Sequence, residues 1–468
     1  MLVAAGRAYV SSALCGAAVL SLSCTVNDAV VRMRPDAGDT LPFDAVEAGA
    51  QGTDSNTRAA DGNSTVPPSA QLTCGDGKCA LGEDASTCCR DCGCPDSSHV
   101  CLGNVCVGEP LAITAGGDHT CVLLSGGRVS CWGENYSGEL GGGTTLDFSR
   151  APVLVPGIEG ATVVAAGSTF SCAVLKDATV TCWGSYDGQR GQTDPALALT
   201  AVADVHDANS LAAGRDFVCA LVANGAVNCW GSNTVGQLGN GQSGGVGGPA
   251  VVQSVSSAQA IAATTDAACA LLDSGRVVCW GGNFNQQLGD PKSSTSSSIP
   301  VPVTLPDAAG IWGGCQSESG GQDSGTFCAL SRDDNVYCWG GDGTLGLLGP
   351  TATVLPANGP ALVLSADYQI SSVAVGNEFA CALTKQKDVD CWGWNYYGQL
   401  GQGTRDDGTP TASKVFGLTA SAIAVAAGDT HACALLANGA IQCWGRNVRG
   451  QLGSGGTEDA VAQPVAVR

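Results

Sequence analysis

Short apolar runs alternate with glycine-rich turns along most of the chain from Leu111 onward. In residues 433–443, two apolar arms flank an Ala-Asn-Gly turn at 437–439, and this pattern predicts a two-stranded β-hairpin. A further apolar run precedes the hairpin at residues 424–427. An extended run such as 151–156 follows the corresponding hairpin of another repeat. Each repeat therefore predicts four short strands, which is the content of one blade of a β-propeller.

The motif C-x9-C-W-G occurs seven times at a spacing of about fifty residues, which indicates the blades of a propeller or the repeats of a solenoid. We predict an all-β chain, a seven-bladed β-propeller over residues 111–468, with one disulfide-stapled hairpin in each blade. The fourteen cysteines pair as Cys121 with Cys131, Cys172 with Cys182, Cys219 with Cys229, Cys269 with Cys279, Cys328 with Cys338, Cys381 with Cys391, and Cys433 with Cys443.

The common offset of these cysteines explains why they should be bonded within each repeat. Folding the last hairpin about Asn438 brings Cys433 opposite Cys443. Directly opposed Cα atoms of a non-hydrogen-bonded antiparallel pair lie about 4.5 Å apart, which is within disulfide range. The turn needs a left-handed residue, which is Gly439 here. Three repeats carry Ala178, Asp334 or Lys387 at that place, which leaves open a different turn in those repeats.

Each second cysteine is followed by Trp-Gly, and we interpret each indole as core, wedged between neighbouring blades. A ligand role is the alternative for this set: Trp132, Trp183, Trp230, Trp280, Trp339, Trp392 and Trp444. The repeated text begins at residues 112–114 and stops at 463–467. Because the matching Pro-Val run of other repeats precedes the next blade, we expect the final run to pair into the first blade and close the ring.

The N-terminal segment predicts export. Arg7 precedes an uncharged, mostly apolar stretch at 8–22, and Ser23 stands before Cys24 in an imperfect bacterial lipobox. We therefore predict a lipoprotein-type signal peptide at 1–23 with lipidation of Cys24, and an ordinary signal peptide is the alternative. The expected location is the bacterial cell envelope, as a lipoprotein anchored in the outer membrane, or the secreted fraction. Residues 25–73 have the composition of a disordered linker.

Residues 74–106 form a cysteine-rich module. Its eight cysteines and few large apolar residues favour four disulfides, whose connectivity stays open. Zinc at the spacing of Cys89 and Cys92 and calcium at the module's carboxylates are weaker alternatives, so we assign no metal. The carboxylates are Asp76, Glu83, Asp84 and Asp91.

Cys315 remains after the other cysteines are assigned. We place it in an inserted polar loop between the first two strands of the fifth blade, exposed, and either free or joined to another molecule. A small buried cysteine and a bond to an unacylated Cys24 are the alternatives.

Charge and histidine content exclude several functions. The net charge is −21 and lysines and arginines do not cluster, which argues against nucleic-acid binding. The chain has four histidines, and His119 and His431 occupy a repeat position that is Phe170 or Phe217 in other blades. That exchange indicates a structural position. We expect no enzyme activity and no cofactor. A secreted hydrolase or other envelope enzyme on a propeller scaffold is the alternative, because the sequence leaves a carboxylate pair open.

The loops after the Cys-Trp-Gly text differ between blades and carry aromatic residues. Such residues in variable loops suit recognition of a protein or a glycan, and covering the blade edges is the alternative interpretation. The candidate partner-binding residues are Tyr136, Phe284, Trp394, Tyr396 and Tyr397.

The string A-A-G-x4-C-A-L-x3-G-x-V-x-C-W-G-x-N-x2-G-Q-L-G resembles the repeat of the regulator of chromosome condensation family. Residues 428–453 carry nearly all of it and 214–239 almost as much. The resemblance implies a seven-bladed propeller. The best-known family member is a nucleotide exchange factor for a small nuclear GTPase, a partner that an exported protein would not meet.

Secreted bacterial members, including a β-lactamase inhibitor, bind a protein across the loop-bearing face of the ring. The resemblance to these members implies a non-catalytic binding or scaffold protein with a protein or glycan partner at the envelope. We expect a monomer whose contact with membranes is made through the lipid anchor alone. Exchange-factor activity is a further alternative.

Overall fold

The computed structural model describes residues 99–102, 105–141, 146–184, 199–290, 294–316, 324–341, 347–348 and 359–468. The predicted signal peptide with Cys24, the linker and most of the cysteine-rich module lie outside these residues. Among the described residues, no helix has the length and apolar character needed to span a membrane.

Seven antiparallel sheets of four strands follow one another along the chain, and each is one blade. Blade 1 contains β3 (Pro110–Ala115), β4 (His119–Leu124), β5 (Val129–Glu134) and β6 (Phe148–Leu154). Blade 2 contains β7 (Ala161–Ala166), β8 (Phe170–Leu175), β9 (Val180–Gly184) and β10 (Thr200–Ala201). Blade 3 contains β11 (Ala208–Ala213), β12 (Phe217–Val222), β13 (Val227–Ser232) and β14 (Val246–Val251). Blade 4 contains β15 (Ala258–Ala263), β16 (Ala267–Leu272), β17 (Val277–Gly282) and β18 (Ser296–Pro302).

The remaining strands complete the ring and add one short hairpin before it. Blade 5 contains β19 (Ala308–Gln316), β20 (Ser324–Ser331), β21 (Val336–Gly340) and β22 (Ala361–Leu364). Blade 6 contains β23 (Ile370–Val375), β24 (Phe379–Thr384), β25 (Val389–Asn395) and β26 (Asp406–Lys414). Blade 7 contains β27 (Ala422–Ala427), β28 (His431–Leu436), β29 (Ile441–Arg446) and β30 (Ala460–Ala466). The preceding hairpin is β1 (His99–Leu102) with β2 (Val105–Gly108), and a 3-10 helix (Ala366–Tyr368) links blades 5 and 6.

The first strand of every blade contacts the first strands of both neighbours, including β27 with β3, so the ring is closed and these strands surround its axis. We call the two faces of the ring the loop face and the hairpin face. Among the described residues, the loop face carries the turns between first and second strands and the loops between third and fourth strands. The hairpin face carries the stapled turns and the connections between blades. The predicted all-β, seven-bladed fold is confirmed.

Each blade holds the predicted disulfide. The paired Cα atoms are 4.0 to 4.1 Å apart, and all fourteen cysteines are fully buried. Every bond lies within one repeat, as expected from the common offset of ten residues. In chain order, the bonds join Cys121 to Cys131, Cys172 to Cys182, Cys219 to Cys229, Cys269 to Cys279, Cys328 to Cys338, Cys381 to Cys391, and Cys433 to Cys443.

The stapled turn has the same form in every blade. Ala178, Asp334 and Lys387 take φ values of 61°, 63° and 71°, beside 78° at Gly439. The left-handed conformation at these three non-glycine residues costs roughly 1 kcal/mol each. The different turn that the sequence left open for these repeats is therefore absent from them.

The expectation that the last strand pairs into the first blade is wrong. β30 pairs with β29 of its own blade, where Val465 lies opposite Cys443, and blade 1 has its own fourth strand, β6. The loop after the Cys-Trp-Gly text returns the chain antiparallel to the third strand, so the Pro-Val run completes the blade it follows. Each repeat is a whole blade, and the ring closes without strand exchange.

The tryptophans join the blades as predicted. Trp132 donates its indole N–H to the carbonyl of Gln451 at 2.9 Å, which links blade 1 to blade 7. Four other seams repeat this bond at 2.8 to 2.9 Å, and Trp392 makes it to Leu347 at 3.0 Å. Ring closure therefore uses the same indole hydrogen bond as five of the other six seams; the exception is Trp230, whose indole N–H has no hydrogen-bond partner among the described residues.

Proline interrupts the outer edge of five blades. A proline has no amide hydrogen to donate to an additional strand, so these edges resist pairing with another chain. The residues are Pro152, Pro249, Pro300, Pro410 and Pro464, each in a fourth strand.

The insertion in blade 5 differs from the prediction. The two strands beside it are longer than their counterparts in other blades, with nine and eight residues instead of six. The backbone of Cys315 lies in β19 opposite Gly325, so this residue belongs to a strand and not to the loop. The side chain of Cys315 and residues 317–323 lie outside the described residues, and the predicted state of its thiol stays a prediction.

The β1–β2 hairpin is the last part of the cysteine-rich module and sits on the hairpin face. Cys101 faces Cys106 in the strand register, and Cys106 is disulfide-bonded. Val107 is buried in the apolar cluster of blades 7 and 1, and Ser125 donates its backbone N–H to the carbonyl of Glu109 at 2.8 Å. The module is therefore joined to the propeller on the face opposite the variable loops.

Candidate functional site

A buried asparagine fixes the loop between the third and fourth strands. In blade 1, Asn135 Oδ1 accepts the backbone N–H of Leu140 at 3.1 Å, and its Nδ2 donates to the carbonyl of Leu146 at 2.9 Å. The residue after the asparagine then points outward, and Tyr136 is 53% exposed. The same bond holds the loop of blade 6, where Asn395 Oδ1 accepts from Leu400 at 3.1 Å. These loops therefore display one side chain each from a rigid base.

Blade 6 carries a cluster of three aromatic rings at this place. The ring centroids of Trp394 and Tyr396 are 6.0 Å apart with nearly parallel planes. Tyr397 meets Trp394 at 5.6 Å and Tyr396 at 5.0 Å, edge to face in both contacts. Tyr396 is 62% exposed, while Trp394 and Tyr397 are half-buried. The rings hold one another in place.

Two arginines of blade 7 join this cluster to blade 1. Arg446 lies over the ring of Tyr397 at 5.4 Å. Arg449 lies over the ring of Tyr136 at 4.8 Å and donates to the Tyr136 hydroxyl at 2.8 Å. We call the resulting patch the aromatic–arginine surface; it consists of Trp394, Tyr396, Tyr397, Arg446, Arg449 and Tyr136.

The structure thus unites four of the five predicted partner-binding residues and separates the fifth. Phe284 is 42% exposed in blade 4, and blade 5 lies between it and the cluster of blade 6. Arg446 and Arg449 were not predicted from the sequence. Their signal was their place two and five residues after Trp444, in the loop that lies between the two groups of aromatic residues.

Each of the two arginines forms an ion pair with a carboxylate of blade 1. Arg446 Nη1 lies 3.4 Å from Asp118 Oδ2, and Arg449 Nε lies 3.4 Å from Glu134 Oε1. Asp118 also accepts a hydrogen bond from Gln451 Nε2 at 2.6 Å. The surface therefore rests on a polar seam between blades 7 and 1 whose charges are paired.

The seam between blades 3 and 4 has the same arrangement. Asp266 of blade 4 accepts from Gln237 Nε2 at 2.9 Å and from Arg215 Nη2 at 3.2 Å. Asp118 and Asp266 are 6% and 7% exposed. An aspartate that binds an arginine and a glutamine of the preceding blade therefore joins blade 1 to blade 7 and blade 4 to blade 3.

Other buried acids lie near the loop face. Burial raises the pKa of Glu139 to about 8. Burial, followed by the charge of Asp118, raises the pKa of Asp429 well above its usual range, although Arg446 opposes the shift. Within the described ranges, no group of three or more histidines, cysteines or acids is placed to hold a metal ion.

Both repeat-position histidines are buried between blades. His119 Nε2 lies 2.9 Å from Ser171 Oγ, and His431 Nε2 lies 2.8 Å from Thr120 Oγ1. Burial lowers the pKa of His119 to about 3, and burial with nearby positive charge lowers that of His431 to about 3. The histidines hold neighbouring blades together in their neutral form.

We expect this burial to make the protein acid-sensitive. The unfolded chain takes up a proton near pH 6.5 and the folded chain near pH 3, so stability is lost as pH falls between these values. At pH 5 the loss is about 2 kcal/mol for each histidine. His119→Phe with Ser171→Ala recreates the apolar pair of other blades. In urea titrations at pH 7 and pH 5, it should lose about 2 kcal/mol less than the parent.

Exposed His206 supplies the control for this prediction. His206→Ala should leave the difference between the two pH values unchanged. An equal pH dependence in the parent and in the His119 variant would contradict the burial argument.

The chain is a seven-bladed β-propeller with one disulfide-stapled hairpin per blade and one continuous aromatic–arginine surface on its loop face. Two family models described as Regulator of chromosome condensation (RCC1) repeat match it, and the chain carries repeats of the RCC1 family. The first model matches residues 111–139, 162–192, 209–237, 258–287, 370–399 and 422–451, and the second 126–174 and 389–435.

Known relatives match this chain over part of their length. Human E3 ubiquitin-protein ligase HERC2 is 36% identical over 148 residues, which are 31% of this chain and 3% of the ligase. The mitochondrial RCC1 domain-containing protein RUG3 of Arabidopsis thaliana is 36% identical over 141 residues, which are 28% of this chain and 31% of that protein. The chain therefore spans less than a third of the length of either relative.

Two solved structures share the fold. Prp20p of Saccharomyces cerevisiae superposes with a TM-score of 0.62 at 22% identity, covering 77% of this chain and 86% of Prp20p. Human WBSCR16 has a TM-score of 0.61 at 20% identity, covering 70% of this chain and 87% of that protein. At these identities the likeness is one of architecture.

Proposed function

We propose that this chain is an exported, non-catalytic binding protein that holds a protein partner on the aromatic–arginine surface. The observation that carries the proposal is the continuity of that surface across blades 6, 7 and 1. Tryptophan, tyrosine and arginine are the residues in which the binding energy of protein interfaces concentrates. Here they meet on one patch of the variable loop face.

The surface is built for binding at a low entropic cost. An interface loses affinity when flexible side chains must be ordered on contact. The three rings of blade 6 already pack on one another, and Arg449 already holds the hydroxyl of Tyr136. The loops beneath them are tied by Asn135 and Asn395 to blades that carry disulfides. The partner therefore meets a preformed patch.

The position of the cysteine-rich module supports presentation of this patch at the cell envelope. The β1–β2 hairpin is attached to the hairpin face, so the chain upstream of His99 joins the propeller opposite the aromatic–arginine surface. Lipidation of Cys24 and a linker at 25–73, both proposed from the sequence, would then hold the propeller on a membrane with the loop face unobstructed. Prp20p, which shares the fold, has binding properties to Gsp1p and histones, which are protein partners.

The test is cross-linking capture from bacterial envelope extracts with matched variants of the oxidised full-length protein. Tyr396→Ala removes the most exposed ring of the surface. Phe284→Ala removes an exposed ring from the corresponding position of blade 4 and is the matched control. We expect a captured protein whose yield falls at least about tenfold with Tyr396→Ala and stays within about twofold with Phe284→Ala, as for loss of a hot-spot residue.

Equal capture by the parent and both variants would contradict the proposed surface. Loss of capture with Phe284→Ala alone would move the binding site to blade 4. Thermal unfolding of each variant must match the parent, so that a change in capture reports contact and not folding.

A further inference from the structure

We propose that the partner presents a proline-rich segment to the aromatic–arginine surface. This inference rests on the proposed function, because it names the chemistry that the same surface would recognise. It follows from which hydrogen-bonding groups of the surface are open to a ligand and which are already bonded within the protein.

The open side-chain groups of the blade 6 cluster are an indole N–H, which donates, and two phenol hydroxyls, which both donate and accept. Within the described part of the chain, the indole N–H of Trp394 and the hydroxyls of Tyr396 and Tyr397 make no hydrogen bond. The hydroxyl of Tyr136 accepts from Arg449 and keeps its own hydrogen to donate. The surface thus combines ring faces with four donor groups.

The two carboxylates beside the arginines are already engaged. Asp118 accepts from Gln451 and pairs with Arg446, and Glu134 pairs with Arg449. These pairs place a carboxylate beside each arginine, so neither arginine presents an unbalanced positive charge to an acidic peptide. Complementarity of charge and hydrogen bonding therefore selects a neutral ligand that brings acceptors and apolar area.

A proline-rich segment has this chemistry. Proline lacks the backbone N–H and keeps the carbonyl, so each residue brings an acceptor, an apolar ring and no donor. Such segments hold the polyproline II conformation before binding and dock on aromatic surfaces with little loss of entropy. A glycan or an ordinary peptide would bring many O–H or N–H donors, for which the hydroxyl oxygens of Tyr396 and Tyr397 are the open side-chain acceptors of the described blade 6 cluster.

Trp394 supplies a direct readout of binding at this surface. All nine tryptophans lie among the described residues, and the other eight are at most 4% exposed. A change in tryptophan emission on adding ligand therefore reports Trp394. Trp394→Phe keeps an aromatic ring and removes the signal, which identifies its source.

The experiment is a fluorescence titration of the oxidised full-length protein with a capped proline oligomer, with a capped glycine–serine peptide of equal length as control. We expect a saturable change with the proline oligomer alone. The change should disappear in Trp394→Phe. Tyr396→Ala should weaken the apparent affinity at least about tenfold, and Phe284→Ala should leave it within about twofold. Absence of a saturable change, or an equal response to the control peptide, would overturn the inference.

Selection of random peptides displayed on phage separates this inference from the proposed function. Enriched proline-rich peptides that need Tyr396 support both. Enriched peptides without proline that need Tyr396 overturn the proline-rich partner and leave the binding surface intact. Peptides that bind the parent and Tyr396→Ala equally, or no enrichment, count against both.

Discussion

Once reduced in urea, the protein should fail to refold when the urea is diluted under reducing conditions. Each staple closes a short loop, and the entropy of closing it amounts to at most about 3 kcal/mol, since a hairpin is already local in the unfolded chain. Seven such contributions, even well below this maximum, are comparable to the whole stability of a typical domain, about 5–15 kcal/mol. Far-ultraviolet circular dichroism and size-exclusion chromatography after dilution measure the loss.

All fourteen hairpin cysteines are fully buried, so urea must expose the disulfides before a reductant can reach them. Reductant should have little effect on the folded protein and should act once urea opens the blades. Oxidised protein carried through the same urea cycle is the control and should regain its spectrum. Refolding of the reduced protein to the original melting temperature would show that the staples are dispensable.

Asp118→Ala at the closing seam should destabilise the propeller by about 3–5 kcal/mol, because it removes the buried carboxylate that pairs with Arg446 and accepts a hydrogen bond from Gln451. Asp266→Ala removes the corresponding carboxylate between blades 3 and 4 and should lower the free energy of unfolding by a similar amount. Urea titration of the two variants measures both effects.

The comparison of the two seams tests how the ring closes. Similar losses are expected if blades 7 and 1 are joined by the same contacts as blades 3 and 4. Exposed Asp407 gives the control, and Asp407→Ala should leave the urea midpoint unchanged. A negligible loss for Asp118→Ala beside a large one for Asp266→Ala would show that closure rests on something else.

The content of a blade could be predicted because its determinants are local. The stapled hairpin follows from residues within one repeat, such as Cys433, Gly439 and Cys443. The pairing of the Pro-Val run could not be predicted, because a repeating sequence does not show where one blade ends and the next begins. The pairing of Val465 with Cys443 is decided by the loop that returns the chain after Trp444.

Contacts between blades were the harder part, although one signal was present in the repeats. His119 is followed one repeat later by Ser171, to which it hydrogen-bonds, whereas small Ala267 is followed by large Phe327 in one apolar cluster. The position two residues before one cysteine therefore varies together with the position one residue before the next. Comparing neighbouring repeats in this way would have predicted these pairs.

The candidate surface was predicted in part for the same reason. Exposure of the ring after the loop asparagine is a local property, so Tyr136, Phe284 and Tyr396 were all selected. Their grouping depends on which blades are neighbours and on Arg446 and Arg449, whose ring contacts cross two seams. The sequence offered no reason to separate Phe284 from the others.

The affinity of the captured partner for matched variants tests the central claim most directly. Titration calorimetry of the partner against the parent, Tyr396→Ala and Phe284→Ala should show a dissociation constant at least about tenfold weaker for Tyr396→Ala and within about twofold of the parent for Phe284→Ala. Equal affinities for all three proteins would contradict the claim that the aromatic–arginine surface holds the partner.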